Sequence, residues 1–206
     1  MNPNTINPFF GRIILASGSP RRLSLLRESG FDVEVVNNKT IDESHLNILN
    51  PFEVPLILSQ RKAMAYKDVV KERKIPLLAA DTVVILDGDI LEKPKTQSDA
   101  IEMLKQLSGK IHYVVTGVTI IFSKGERSSF YETTKVKFGN LTDNIINWYI
   151  LNYKPFDKAG AYGIQEWIGL VGIEKIEGDF YNVMGLPVHR LIEKLTEIPE
   201  ERFQKL

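Results

Sequence analysis

The chain has 206 residues, 43% of them apolar, enough to bury a sizeable core in one large domain or one domain with two lobes. Its 26 basic and 26 acidic residues cancel, so no whole-molecule field marks a nucleic acid or an anionic membrane as a partner, and any basic site has to be local. The absence of cysteine excludes disulfides, thiol nucleophiles and thiolate metal sites, and the scattered His45, His112 and His189 lack the spacing of a zinc site.

Residues 1–10 have neither a charged start nor a long apolar run, so they do not read as a signal peptide. No apolar run further along reaches the length of a membrane span, and the expectation is a soluble cytoplasmic protein. A strand predicted over about 12–16 runs into Ser17-Gly18-Ser19-Pro20-Arg21-Arg22 and a helix over about 20–29, stopped by Gly30. Ser19 suits the N-cap and Pro20 the first helical position. A helix N-terminus is a positive pole that favours acids, yet Arg21 and Arg22 stand in the first turn. Two guanidinium forks, the hydroxyls of Ser17 and Ser19 and the free N–H groups form a phosphate cradle. The competing reading is a solvated helix start whose arginines pair with surface acids.

A strand over about 31–36 and a polar loop through Glu43 lead to a helix predicted over about 51–73, ended before Pro76. Leu58, Lys62, Ala65 and Val69 share one face of it, so Lys62 points to the apolar side. That segment alone favours a lysine that snorkels to water. The strand at about 77–86 is apolar except for Asp81-Thr82. An unpaired buried carboxylate is costly, so Asp81 has to be hydrogen-bonded, paired, bound to metal or set at the rim of a cleft. In a cleft it can act as a general base or hold a divalent cation.

Asp87-Gly88 turns the chain into Ile90-Leu91. Lys93, made extended by Pro94, throws its ammonium out from the strand end, as a surface lysine does. Thr96 and Asp99 resemble a capping box for a helix ending at Gly109. Two strands, about 111–123 and 127–138, face each other across Lys124-Gly125, and Thr142 caps a helix to about 152. Loop 155–166 carries Gly160-Ala161-Tyr162-Gly163-Ile164-Gln165, either an ordinary surface loop or one whose backbone approaches a ligand. The Gln165 amide can match both the N3 donor and the O4 acceptor of uracil or thymine. A strand at about 169–176 and a helix from Pro187 complete an order that reads as α/β with a mixed sheet.

Several cations, one or two carboxylates and a base-reading amide are the inventory a nucleoside triphosphate requires. The stretches 15–22, Ile41-Asp42-Glu43, Lys62-Ala63, Ala80-Asp81-Thr82, Lys93-Pro94, Leu107-Ser108-Gly109, Thr116-Gly117-Val118, 158–165 and Gly185-Leu186-Pro187 span almost the whole chain. In that order they resemble the Maf family of nucleotide pyrophosphatases. The resemblance implies one domain over residues 1–206: an elongated, two-lobed α/β fold with a long mixed central sheet and an active-site cleft, similar to inosine triphosphate pyrophosphatases. It implies hydrolysis between the α- and β-phosphates, giving a nucleoside monophosphate and pyrophosphate, with a divalent cation (Mg²⁺, Mn²⁺ or Co²⁺).

The run 160–165, with Tyr181-Asn182-Val183, looks like the branch that cleaves dTTP and UTP, with modified pyrimidine nucleotides as further substrates; the 7-methyl-GTP branch typically lacks that glutamine. By resemblance Asp81 is the proton acceptor and, with Glu43, a metal ligand. Ser17, Arg22, Lys62 and Lys93 would contact phosphates, and Arg21, Thr82 and Gln165 would govern base choice. Two places depart from the family pattern: Glu166-Trp167 stand where smaller residues are frequent, and Glu92 precedes Lys93 where glycine is common. The rival function is a non-catalytic nucleotide-binding regulator of septum formation, a role also associated with the family. A full set of acid, cations and metal ligand argues for chemistry, since binding alone needs no base. The oligomeric state stays open, a homodimer included.

Overall fold

A computed structural model of the chain describes residues 10–37, 39, 41, 50–122 and 124–197. The strands are β1 (Arg12–Leu15), β2 (Asp32–Val35), β3 (Leu77–Leu86), β4 (Asp89–Leu91), β5 (Ile111–Ile121), β6 (Arg127–Phe138) and β7 (Ile173–Glu177). The helices are α1 (Pro20–Glu28), α2 (Val54–Ala65), α3 (Lys67–Arg73), α4 (Gln97–Leu107), α5 (Asp143–Tyr153), α6 (Trp167–Gly172), α7 (Phe180–Met184) and α8 (Val188–Thr196). The strands form one mixed seven-stranded sheet in the order β2-β1-β3-β5-β6-β7, with β4 beside β3. Among the described residues, no helix is long and apolar enough to cross a membrane.

Local chemistry explains most boundaries. Ser19 caps α1 by accepting from the Arg22 amide, with Pro20 at its start. Thr96 and Asp99 form the reciprocal capping box of α4. Thr142 caps α5, and Lys154 ends it in the left-handed region. The structure corrects two expectations. The helix expected over 51–73 is a 3-10 turn, Pro51–Glu53, followed by α2 and α3 with a break at Tyr66. Tyr66 is buried and its hydroxyl accepts from the Lys39 amide at 2.7 Å, so a tertiary contact breaks the helix where no glycine or proline marks it. The strand expected at 169–176 begins as helix α6, because pairing starts only where β6 offers Phe138 opposite Ile173.

Strand β3 organises the sheet. Its edge toward β5 is paired from Leu77 to Ile85. On its other edge β1 takes Leu77 and Leu78, and β4 takes Val84 to Leu86. Among the described residues this leaves 79–83 without a strand neighbour on that side, and Asp81 and Thr82 lie in the gap. Helix α2 packs across β3 and β5. Gly117 permits this approach: a Cβ there would lie 2.3 Å from the Pro55 carbonyl oxygen. The buried Ser59 hydroxyl lies 2.8 Å from that of Thr119 and pins the same helix to β5. Leu15, Leu26, Leu78 and Leu191 belong to one buried cluster, and Leu104, Val114, Phe138 and Ile168 to another.

The second cluster is bordered by a buried polar pair. His112 Nε2 lies 2.7 Å from the Tyr162 hydroxyl, and burial pushes the imidazole down from 6.5 to about 4. The unfolded chain therefore takes this proton before the folded one does. The stability gained by keeping His112 neutral is complete above pH 6.5 and is lost as pH falls toward 4, by at most ~1.4 kcal/mol per pH unit. Thermal melts across this window should fall less steeply in His112→Phe than in the parent; equal slopes would show that His112 does not titrate this way. Gly117→Ala should destabilise by ~1–3 kcal/mol through overpacking against α2, read from denaturant unfolding.

Candidate active site

The gap in β3 opens into a cleft of about 470 Å³. Ser17, Arg21, Arg22, Lys62, Asp81, Thr82, Lys93 and Gln165 all line it. Glu43 lies outside the described residues.

Lys62 does not snorkel to solvent. Its ammonium lies 2.6 Å from an Asp81 carboxylate oxygen, and the two side chains are only 17% and 14% exposed. α2 thus delivers a cation to the carboxylate that interrupts β3, which answers the cost of burying it.

Arg22 spans three elements. Its Nη1 donates to Ser17 Oγ at 3.1 Å, its Nη2 to Thr82 Oγ1 at 2.9 Å and its Nε to the Gly185 carbonyl at 2.8 Å. Thr82 continues inward to the Thr116 hydroxyl at 2.9 Å, and Thr116 donates to the Asn182 carbonyl. The first-turn arginine that opposes the helix dipole therefore gains charge-assisted bonds to β3 and to the turn after α7.

Arg21 takes a different partner. Its guanidinium lies 2.6 Å from Asp157, whose other oxygen lies 2.7 Å from Lys158. Partial burial opposes ionisation of Asp157, but the hydrogen bonds from Lys158 and Arg21 outweigh it and hold the carboxyl at about 2. The arginine reading as a partner of a surface acid thus holds for Arg21 in this structure.

The loop before α6 approaches the cleft through its glycines. Gly160 adopts φ +66°, and a Cβ there would press on Val84 at 3.1 Å. The cleft also takes Asn37, Lys39, Tyr162 and Lys158 as wall residues, none of which the sequence reading singled out as site residues. One signal could have found Asn37 and Lys39: they follow the carboxyl end of β2, which runs parallel to β1, and ligands of α/β sheets gather outside such ends.

Among the described residues no group of three or more His, Asp or Glu side chains could hold a metal. A magnesium-like ion is commonly held by one or two carboxylates together with substrate phosphates, so Asp81 in a cation-lined cleft fits such an ion as part of a nucleotide complex.

Arg22→Ala should lower ligand-free stability by ~1–3 kcal/mol, since it removes bonds that tie α1 to β3. Arg21→Ala should change it by less than ~0.5 kcal/mol, because its ion pair is largely at the surface. Paired denaturant melts check the contrast; equal effects would show that Arg22 ties no walls together.

Similarity to known proteins gives the family and the fold. A family model described as Maf-like protein matches residues 12–198. The dTTP/UTP pyrophosphatase of Cytophaga hutchinsonii is 50% identical over 186 residues, covering 90% of this chain and 84% of that protein. That of Phocaeicola vulgatus is 46% identical over 187 residues, covering 91% and 96%. Among solved structures, the Staphylococcus aureus Ham1 protein matches with a TM-score of 0.50 at 16% identity, over 90% of this chain and 98% of that one, which shows a shared fold. With the family model spanning 12–198 and relatives at these identities matched over most of their length, the chain belongs to the Maf-like protein family.

Proposed function

We propose that this chain is a nucleoside triphosphate pyrophosphatase that hydrolyses dTTP and UTP, and modified pyrimidine nucleotides, to the monophosphate and pyrophosphate. The observation that carries the reading is the Asp81–Lys62 pair at 2.6 Å in a cleft that also holds Arg22, Lys93 and Gln165. The names of the similar proteins agree with it. The enzyme would work as one two-lobed domain on the free nucleotides of the cytoplasm.

The triphosphate lies against the α1 start, where Ser17 and Arg22 offer donors, with Lys62 and Lys93 as further cations. Asp81 accepts the proton of a water as its oxygen bonds to phosphorus. The anhydride bond between the α- and β-phosphates breaks, and pyrophosphate leaves. Lys62 orients the Asp81 carboxylate. Asp81 and Glu43 would hold a divalent cation, which when bound neutralises charge on the phosphate oxygens. Gln165 reads the uracil or thymine edge, with Arg21 and Thr82 shaping the same end. A purely regulatory nucleotide binder would need neither the base nor its cation partner. A 7-methyl-GTP enzyme would not need Gln165 at the wall.

Purified protein with Mg²⁺, Mn²⁺ or Co²⁺ should convert dTTP and UTP to monophosphate plus pyrophosphate without direct release of orthophosphate. Diphosphate plus orthophosphate would overturn the reading. Asp81→Asn should lose ~10²–10⁴-fold in kcat with native near-ultraviolet circular dichroism. Near-normal turnover in the folded variant would make Asp81 a structural residue.

A further inference from the structure

Glu166 stands beside Gln165 and is not one of the residues lining the cleft. Its two oxygens nevertheless collect the surroundings of that loop. One lies 3.1 Å from the Lys158 ammonium, at the loop's start. The other accepts from the Tyr149 hydroxyl on α5. That hydroxyl in turn accepts from the Gly163 amide at 3.0 Å, at the loop's middle. A Cβ at Gly163 would come within 2.8 Å of the Glu166 carboxyl carbon, so a side chain there would push the Glu166 carboxylate aside. The loop is thus pinned at 158, 163 and 166, with Gln165 between the last two pins.

These contacts are sheltered from water. Tyr149 is fully buried, and the Lys158 and Glu166 side chains are 9% and 18% exposed. Between the pins, Ala161 holds a left-handed φ of +59°, a conformation that a non-glycine residue keeps only where its surroundings over-determine it. The chain of charges also leaves the loop: Lys158 reaches Asp157, and Asp157 reaches Arg21 at the start of α1.

We propose that Glu166 is a specificity-positioning residue, which holds the Gln165 loop in register and links it through Lys158 and Asp157 to Arg21. An amide reads a pyrimidine edge only if it cannot rotate or drift to suit cytosine instead. Glu166 supplies that constraint without touching the substrate. The inference rests on the pyrimidine triphosphate reading above, and it has a readout of its own. The chain's two tryptophans, Trp148 and Trp167, adjoin Tyr149 and Glu166 and have ring centroids 4.2 Å apart, so near-ultraviolet circular dichroism reports the lock directly.

The test uses the full chain with Glu166→Gln and Tyr149→Phe, and Gln165→Leu as the reference for lost base reading. Without nucleotide, the Gly163 amide should exchange about tenfold faster in Tyr149→Phe, and the tryptophan signal should change in both lock variants. In Glu166→Gln the KM for UTP should rise about tenfold, the size of one charge-assisted hydrogen bond, with kcat nearly unchanged and the preference for UTP over CTP reduced. Unchanged preference and unchanged tryptophan signal in folded Glu166→Gln would overturn the proposal. If Glu166→Gln does not fold, Tyr149→Phe decides: a native UTP preference there marks the network as merely structural. If the parent protein cleaves no pyrimidine triphosphate, the functional reading has failed, and the tryptophan signal of Glu166→Gln still decides whether Glu166 holds the loop.

Discussion

Asp81 stands in a strand that is otherwise apolar, and its ion pair with Lys62 is the contact around which the cleft is arranged. A carboxylate there is tolerated only with a cation at hand. The cation comes from α2, and α2 can come close enough only because residue 117 of β5 has no side chain. The strands beside β3 part at the same level, so the pair faces an opening instead of another strand. Sheet pairing, helix approach and charge compensation are therefore one constraint seen from three sides.

The arginine turn shows how a locally unfavourable choice is offset. Arg22 opposes the dipole of its own helix but bonds to a loop hydroxyl, a strand hydroxyl and a backbone carbonyl beyond α7. Each partner belongs to a different part of the chain, so the residue that can meet a phosphate also joins the walls that surround it. Arg21 next to it serves another purpose. Its pairing with Asp157 connects the α1 side of the cleft to the loop that carries Gln165.

That loop is held by chemistry of two kinds. On one side the neutral pair of His112 and Tyr162 sits among Phe138 and other apolar neighbours, and burial keeps the imidazole uncharged. On the other side Lys158, Glu166 and Tyr149 form a charged and hydrogen-bonded lock. Burial and the adjacent Glu166 carboxylate push the Tyr149 phenol up, so it stays protonated and keeps donating. The left-handed Ala161 lies between these supports.

Much of this was legible in the chain. Caps at Ser19, Thr96 and Thr142, the apolar run of β3 and the turn at Asp87-Gly88 depend on neighbours in sequence, and they lie where their chemistry puts them. Asp81, Lys62 and the paired arginines could be singled out because each departs from a local rule, Lys93 and Gln165 because of their setting, while family resemblance added Glu43 and the assignment of roles. The break at Tyr66, the helical start of 167–172 and the identity of the Lys62 partner could not be read this way. Each is decided by a group far away in sequence: the Lys39 amide for Tyr66, the β6 edge for β7, and Asp81 for Lys62. Sequence alone determined most of the elements and the anomalous residues, because capping, periodicity and backbone freedom act over a few residues. The tertiary structure alone decided which anomalies meet, because an ion pair or a close helix approach forms only when the sheet brings distant segments within hydrogen-bond range.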